Sequence, residues 1–267
     1  MTPFLDRLRH AQRLTGTVLC VGLDPDLDRL GFDRRVPAAS VYDALVAFCT
    51  DVVRDTSHVA CAYKPNSAFF EAAGSEGVRA LETAVQVVRA EAPHALVVLD
   101  GKRGDIGNTA ARYAAAAFDA LGADALTVSP YMGRDAVAPF LAHAHRAAFV
   151  LARTSNAGAA DVQMLRTDGG APVYRHVVRG ARAWADGLPG TLGFVAGATD
   201  PAALAEIRAL APDAPLLVPG VGAQGGDVRA VMDANAGGPL LVNVGRAIFH
   251  APDRRAFADA YASRLRL

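Results

Sequence analysis

Eight short apolar, β-branched runs alternate with longer helical patterns along 267 residues and predict a closed (β/α)8 barrel, a TIM barrel. Two further observations agree. The length is that of one ordinary barrel, so 1–267 is expected to be a single domain. A 52% apolar share with 20% charged residues supplies a large core. No composition break or long linker divides the chain. A doubly wound open sheet is the second reading of the same alternation.

The strands are expected at 17–24, 59–64, 95–101, 124–129, 147–153, 191–197, 215–220 and 239–244. Helical patterns follow each, at roughly 38–54, 74–91, 107–121, 133–144, 171–186, 200–210, 225–235 and 253–264. Alanine-rich stretches such as Ala110–Ala117 favour helix strongly. Residues 3–14 read as an extra N-terminal helix that closes the barrel bottom. Residues 154–170 are long and rich in Gly, Ala and Asp, and are expected to be a structureless connection, either a lid or a surface excursion.

Bulk properties exclude several partners. A net charge of zero gives no footprint for nucleic acid and no attraction to an anionic membrane. The N-terminus lacks the apolar core and basic flank of a signal peptide, and no run approaches the roughly 18 apolar residues of a membrane span. Cys20, Cys49 and Cys61 are odd in number and show no paired spacing, so buried thiols in a reducing cytoplasm are expected.

The basic residues are more telling. Of 27, only Lys64 and Lys102 are lysines. A chain that uses Arg almost wherever a positive charge suffices keeps a lysine where a compact ammonium is required. Both lysines fall at the C-terminal ends of expected strands, the rim where barrel active sites form. Asp24 ends the first strand, Lys64 the second, Asp100-Gly101-Lys102-Arg103-Gly104-Asp105 the third. Ser155 follows the fifth, Pro219-Gly220 ends the seventh and Gly245-Arg246 the eighth.

Asp100 and Lys102, two apart, should share one face of their strand. A lysine held between Asp100 and Asp105 is a fixed cation, suited to general acid work or to stabilising a developing anion. Lys64 could extend the array; a purely structural ion-pair network is the bland alternative. The histidines (His10, His58, His94, His143, His145, His176, His250) fall mostly before strands or on helices, so no metal site is expected. The string Gly220-Val221-Gly222-Ala223-Gln224-Gly225 matches a dinucleotide fingerprint but sits on the seventh strand, and no ribose-binding acid follows the eighth. Loops after strands seven and eight of barrels often bind phosphate through backbone N–H groups and a helix N-terminus, with Gln224 and Arg246 as added donors.

These residues resemble the orotidine 5′-phosphate decarboxylase family, in its longer bacterial branch. The resemblance is carried by Asp100-Gly-Lys102-Arg-Gly-Asp105-Ile-Gly-Asn-Thr109, by Pro219-Gly-Val-Gly-Ala-Gln224-Gly-Gly, by Val244-Gly-Arg246 and by Lys64. It implies loss of CO2 from orotidine monophosphate to give UMP, without cofactor or metal. It makes Lys102 the proton donor, has Asp100 crowd the substrate carboxylate, and has Lys64 hold Asp100 and the ribose. Asp24 would bind a ribose hydroxyl, Ser155 the pyrimidine amide, Gln224 and Arg246 the phosphate, and Pro219 would line the pocket. Asp105 and Thr109 would reach the ribose in a partner's site, so a homodimer with shared sites is expected. Two other readings remain: a metal-dependent sugar-phosphate aldolase or decarboxylase with the same Asp-x-Lys-x-x-Asp string, and a non-catalytic barrel that binds phosphate ligands. The metal-dependent relatives carry an acid where this chain has Lys64.

Overall fold

The structure, a computed structural model, describes residues 2–29, 40–221 and 225–267. Eight parallel strands follow one another around a closed barrel: Leu19–Leu23 (β1), Ala62–Pro65 (β2), Leu96–Arg103 (β3), Ala125–Val128 (β4), Ala147–Arg153 (β5), Thr191–Ala196 (β6), Leu216–Val218 (β7) and Leu240–Val244 (β8). Pairing of Leu19 with Val242 closes the ring. The expected barrel is therefore found, not an open sheet.

The helices are Phe4–Thr15 (α1), Val41–Thr56 (α2), Ser67–Glu71 (α3), Gly74–Glu91 (α4), Gly107–Ala115 (α5), Ala138–Leu141 (α6), Ala160–Gln163 (α7), Val173–Ala185 (α8), Pro201–Leu210 (α9), Val228–Asn235 (α10), Arg246–Phe249 (α11) and Arg254–Arg264 (α12). The expected helix 38–54 is α2, although positions 38 and 39 lie outside the described residues. The helix expected at 133–144 is broken into a 3-10 turn, Arg134–Ala136, and the short α6. Gly133 at φ +83° blocks continuous entry, and Pro139 lacks the N–H that a helix interior would need.

Residues 154–170 also depart from expectation. They are folded, with a 3-10 turn at Ala157–Ala159 running into α7. Gln163 fastens this segment back to its origin: its carbonyl oxygen accepts the Thr154 N–H at 2.8 Å, and its amide donates to the Thr154 hydroxyl at 2.8 Å. An antiparallel bridge between Arg166 and Pro172 closes the far end.

Alternation along the strands sorts the core into two layers. Cys20, Ala62, Leu96, Val98, Ala125, Ala147, Phe149, Leu217 and Leu241 point into the barrel, where they pack with Phe4, Leu8 and Ala11 of α1. Leu19, Val21, Tyr63, Val97, Leu126, Val150 and Val218 point outward into the helical layer. Helix α1 is thus the expected bottom plug. The rings of Phe4 and Phe149 meet edge to face at 6.1 Å, and Gln12 donates to the Leu240 carbonyl at 2.6 Å. The thiols of Cys20, Cys49 and Cys61 are buried and unbridged, as expected.

An ion cluster at the start of β4 completes the bottom. Asp124, 1% exposed, accepts from Arg7 of α1, from Arg89 at 2.8 Å, from Arg146 at 3.3 Å and from the Val97 N–H at 2.8 Å. Removing the carboxylate leaves three facing guanidinium groups without their counter-charge. Asp124→Ala should therefore cost about 3–5 kcal/mol and lower the melting temperature by roughly 10 °C, measured by thermal denaturation. A loss below about 1 kcal/mol would mean that the three arginines are solvated well enough to need no partner.

Candidate active site

Inward positions continue with period two toward the C-terminal rim, and there their chemistry changes from apolar to polar. Beyond Cys20 the series reaches Asp24, beyond Ala62 it reaches Lys64, and beyond Val98 it reaches Asp100 and Lys102. Beyond Ala125 comes Thr127, and beyond Leu241 comes Asn243. All of these line one cavity of about 550 Å³ in the barrel mouth. Ser155, Pro219 and Arg246 line it too, so seven of the expected site residues are brought together.

At its centre lies a carboxylate between two ammonium groups. Asp100 accepts from Lys64 at 2.8 Å through Oδ2 and from Lys102 at 2.7 Å through Oδ1. Three members of the expected array of Lys64, Asp100, Lys102 and Asp105 are therefore in contact, with Asp100 in the middle. Lys64 is 4% exposed, whereas the Lys102 side chain is 52% exposed and open to the cavity. Burial alone would raise the Asp100 carboxyl, but the two lysine charges outweigh it and hold Asp100 well below the usual carboxylate range. Burial would likewise lower Lys64, yet Asp100 and Asp24 outweigh it and push that ammonium well above the ordinary lysine range. Each partner thus favours the charged form of the other.

Asp105 does not join this array. Its Oδ1 accepts the Ile106 N–H at 2.7 Å, and among the described residues no ion pair links it to either lysine. Neither Asp105 nor Thr109, in the first turn of α5, is among the residues lining the cavity. Strand β3 also runs two residues further than expected, through Lys102 and Arg103, because the Arg103 carbonyl still accepts the Ser129 N–H of the β4 side at 2.8 Å. Lys102 takes φ +42° within this stretch, a left-handed conformation that costs an L-residue roughly 1–2 kcal/mol.

Asp24 follows β1 and carries the site's unmet demand. Its Oδ1 is buried with no hydrogen-bond partner among the described residues. Burial raises its carboxyl, and Asp100 adds to this, while Lys64, Lys102 and Arg246 offset part of the effect. A ligand hydroxyl at this oxygen would relieve the deficit.

The expected phosphate end is partly altered. Gln224 and its neighbours Gly222 and Ala223 lie outside the described residues. Val221 and Gly226 bridge across that loop, and the Gly226 N–H donates to the Gly220 carbonyl at 3.1 Å. At the start of α10, Asp227 accepts the Arg229 N–H at 2.8 Å as a cap. Arg246, exposed at the cavity edge at the start of α11, remains the cation for an anionic group.

Asn66, Thr127, Asn156, Gln163 and Asn243 line the cavity although sequence reasoning passed over them. Thr127 and Asn243 are polar residues at inward positions of otherwise apolar strands, a signal that period-two counting could have found. No histidine lines the cavity. Among the described residues no group of three or more His, Cys, Asp or Glu side chains is clustered to hold a metal ion.

Fold and site together define a (β/α)8 barrel with ion-paired lysines in its mouth. The chain matches the Orotidine 5′-phosphate decarboxylase / HUMPS family over residues 17–261. It is 46% identical over 263 residues to the orotidine 5′-phosphate decarboxylase of Paracidovorax citrulli, covering 96% of this chain and 93% of that one. The corresponding protein of Herpetosiphon aurantiacus is 45% identical over 258 residues, covering 96% and 93%. The solved structure of Leishmania donovani OMP decarboxylase superposes with a TM-score of 0.85 at 40% identity, covering 99% of this chain and 97% of that one. The chain belongs to the orotidine 5′-phosphate decarboxylase / HUMPS family.

Proposed function

We propose that this chain is a carboxy-lyase that converts orotidine 5′-monophosphate to UMP, the decarboxylation of pyrimidine biosynthesis. The observation that carries the reading is the Asp100 carboxylate clamped between Lys64 and Lys102 at the cavity wall. A substrate carboxylate beside Asp100 meets a fixed negative charge, which departure of neutral CO2 relieves. The C–C bond breaks and its electron pair stays on the ring carbon. The Lys102 ammonium stabilises that pair and then gives it a proton; the amine takes a proton back from water. No metal or organic cofactor enters this sequence of steps.

The remaining roles are those that the family resemblance implies, and the cavity lining supports several of them. Asp24, through its buried Oδ1, and Lys64 bind ribose hydroxyls. Ser155 addresses the pyrimidine amide, Pro219 packs beside the ligand, and Arg246, joined by Gln224, takes the phosphate. Asp105 and Thr109 act in the site of a second copy, making a homodimer. Exposed Ile106, beside Asp105, and exposed Tyr131 and Met132, after β4, supply apolar surface on the same rim. The partners are otherwise small molecules, with no nucleic acid or membrane. Among the described residues no helix is long and apolar enough to cross a bilayer. Buried, unbridged thiols suit a cytoplasmic location.

Absorbance of orotidine monophosphate should fall on adding the purified chain, at equal rates with and without EDTA. No fall contradicts the reading, and a fall abolished by EDTA favours the metal-dependent alternative. Arg246→Ala separates phosphate binding from the rest. Calorimetry should show UMP bound about 10- to 100-fold more weakly and uridine within about twofold of wild type. Equal losses for both ligands would make Arg246 structural.

A further inference from the structure

We infer that Thr127 is a positioning residue for the Lys102 ammonium, acting through Asp100 and through the Lys102 backbone. The inference rests on the decarboxylase reading above. It begins in the strand register. Leu99 pairs with Leu126 and Arg103 with Val128, so β3 advances four residues while β4 advances two. The bulged stretch carries both Asp100 and Lys102.

Thr127 stands opposite this bulge, 2% exposed. Its hydroxyl accepts the Lys102 N–H at 2.9 Å and donates to Asp100 Oδ1 at 2.8 Å. The direction is fixed. A backbone N–H can only donate and an ionised carboxylate can only accept, so the single hydroxyl proton goes to Asp100. The same Oδ1 receives the Lys102 ammonium at 2.7 Å. Lys102 is therefore held at both ends, main chain and tip, around one buried hydroxyl.

Lys102 needs such holding. At φ +42° its backbone occupies a region that an L-residue keeps only when its surroundings over-determine it. Its side chain is half exposed and has four rotatable bonds, so burial does not fix the ammonium. Lys64 orients Asp100 from the other side through Oδ2 but makes no bond to the Lys102 main chain among those described. Thr127 alone, among these groups, couples the carboxylate's rotation to the backbone that aims the proton donor. Misplacing a reacting group by about an ångström can cost on the order of 100-fold.

The test compares Thr127→Val, which keeps the shape and removes the hydroxyl, with Thr127→Ser, which keeps the hydroxyl. For Thr127→Val, kcat should fall by about 10- to 100-fold while UMP affinity stays within about twofold. Thr127→Ser should recover kcat to within about threefold of wild type. Crystal structures should show Lys102 leaving Asp100 in the Val variant and staying in the Ser variant. If the Val chain does not fold, Thr127→Ala is read in the same way. Wild-type kcat without the hydroxyl, or a loss that falls on UMP affinity and kcat alike and that Ser does not rescue, overturns the inference. A wild-type chain inactive on orotidine monophosphate sinks the functional reading instead. The two variant structures then decide the positioning role: Lys102 displaced only in the Val variant supports it, and an unmoved Lys102 overturns it.

Discussion

An enzyme carrying Lys102→Arg is expected to fold normally and to lose turnover. The side chain is 52% exposed, so the longer guanidinium has room and the melting temperature should move by only a few degrees. Positive charge beside Asp100 is also kept. On the proposed reading, what disappears is the proton donor. A guanidinium is planar, spreads its charge over three nitrogens and does not give up a proton at neutral pH. Nor does it reproduce the compact ammonium that now sits 2.7 Å from Asp100 Oδ1. Positioned acid–base catalysis contributes roughly 10²–10⁴-fold, and loss of the fitted cation adds to this. Retention of more than about a tenth of wild-type kcat would remove Lys102 from the proton-donor role.

The second large effect is a gain from two inactive parents. Asp105 lies three residues beyond Lys102, yet it is turned away from its own cavity and bonds only the adjacent Ile106 N–H among the described contacts. If its work is done in a second copy's site, Lys102→Ala and Asp105→Ala damage opposite contributions to each shared site. A mixed dimer then holds one site with both defects and one with neither. Random mixing makes about half the dimers mixed, so activity should rise from near zero to about a quarter of wild type. Sedimentation establishes the dimer. Mixed dimers that stay at the parental background would place Asp105 in its own subunit's site.

The barrel was legible in the sequence because each strand is a short β-branched run and each long helix has its own period. Four- and five-residue helices such as α3, α6, α7 and α11 repeat too little for any period to appear. Helix α3 did carry a local sign: Asn66 accepts the Ala68 N–H at 3.3 Å as a cap. Two strand ends were read to within one residue where a charge closes an apolar run: Asp24 against the observed Leu23, and Lys64 against the observed Pro65. Strand β3 was cut short at Gly101 because its continuation through Lys102 depends on the Thr127 hydroxyl and the Ser129 N–H, which only the fold brings near.

The candidate site was readable as a set of residues and in part as a network. Lys64, 36 residues upstream of Asp100, was expected to extend the charged array and is brought beside Asp100 by β2–β3 pairing. Asp105, close in sequence to Lys102, was expected to flank it but accepts the Ile106 N–H instead. Thr127 was passed over because its signal lies in the strand's phase. One threonine in Ala125-Leu126-Thr127-Val128 looks like ordinary strand composition until the inward phase is known.

Product analysis in D2O tests the central claim most directly. Orotidine monophosphate is incubated with the purified, EDTA-treated chain, and CO2 and nucleotide are measured together by gas analysis and NMR. One CO2 should appear per UMP, with one deuterium at the ring carbon that had borne the carboxylate, delivered through the exchanged Lys102 ammonium. Substrate left intact, CO2 without UMP, or turnover that returns only on adding a divalent metal would contradict it.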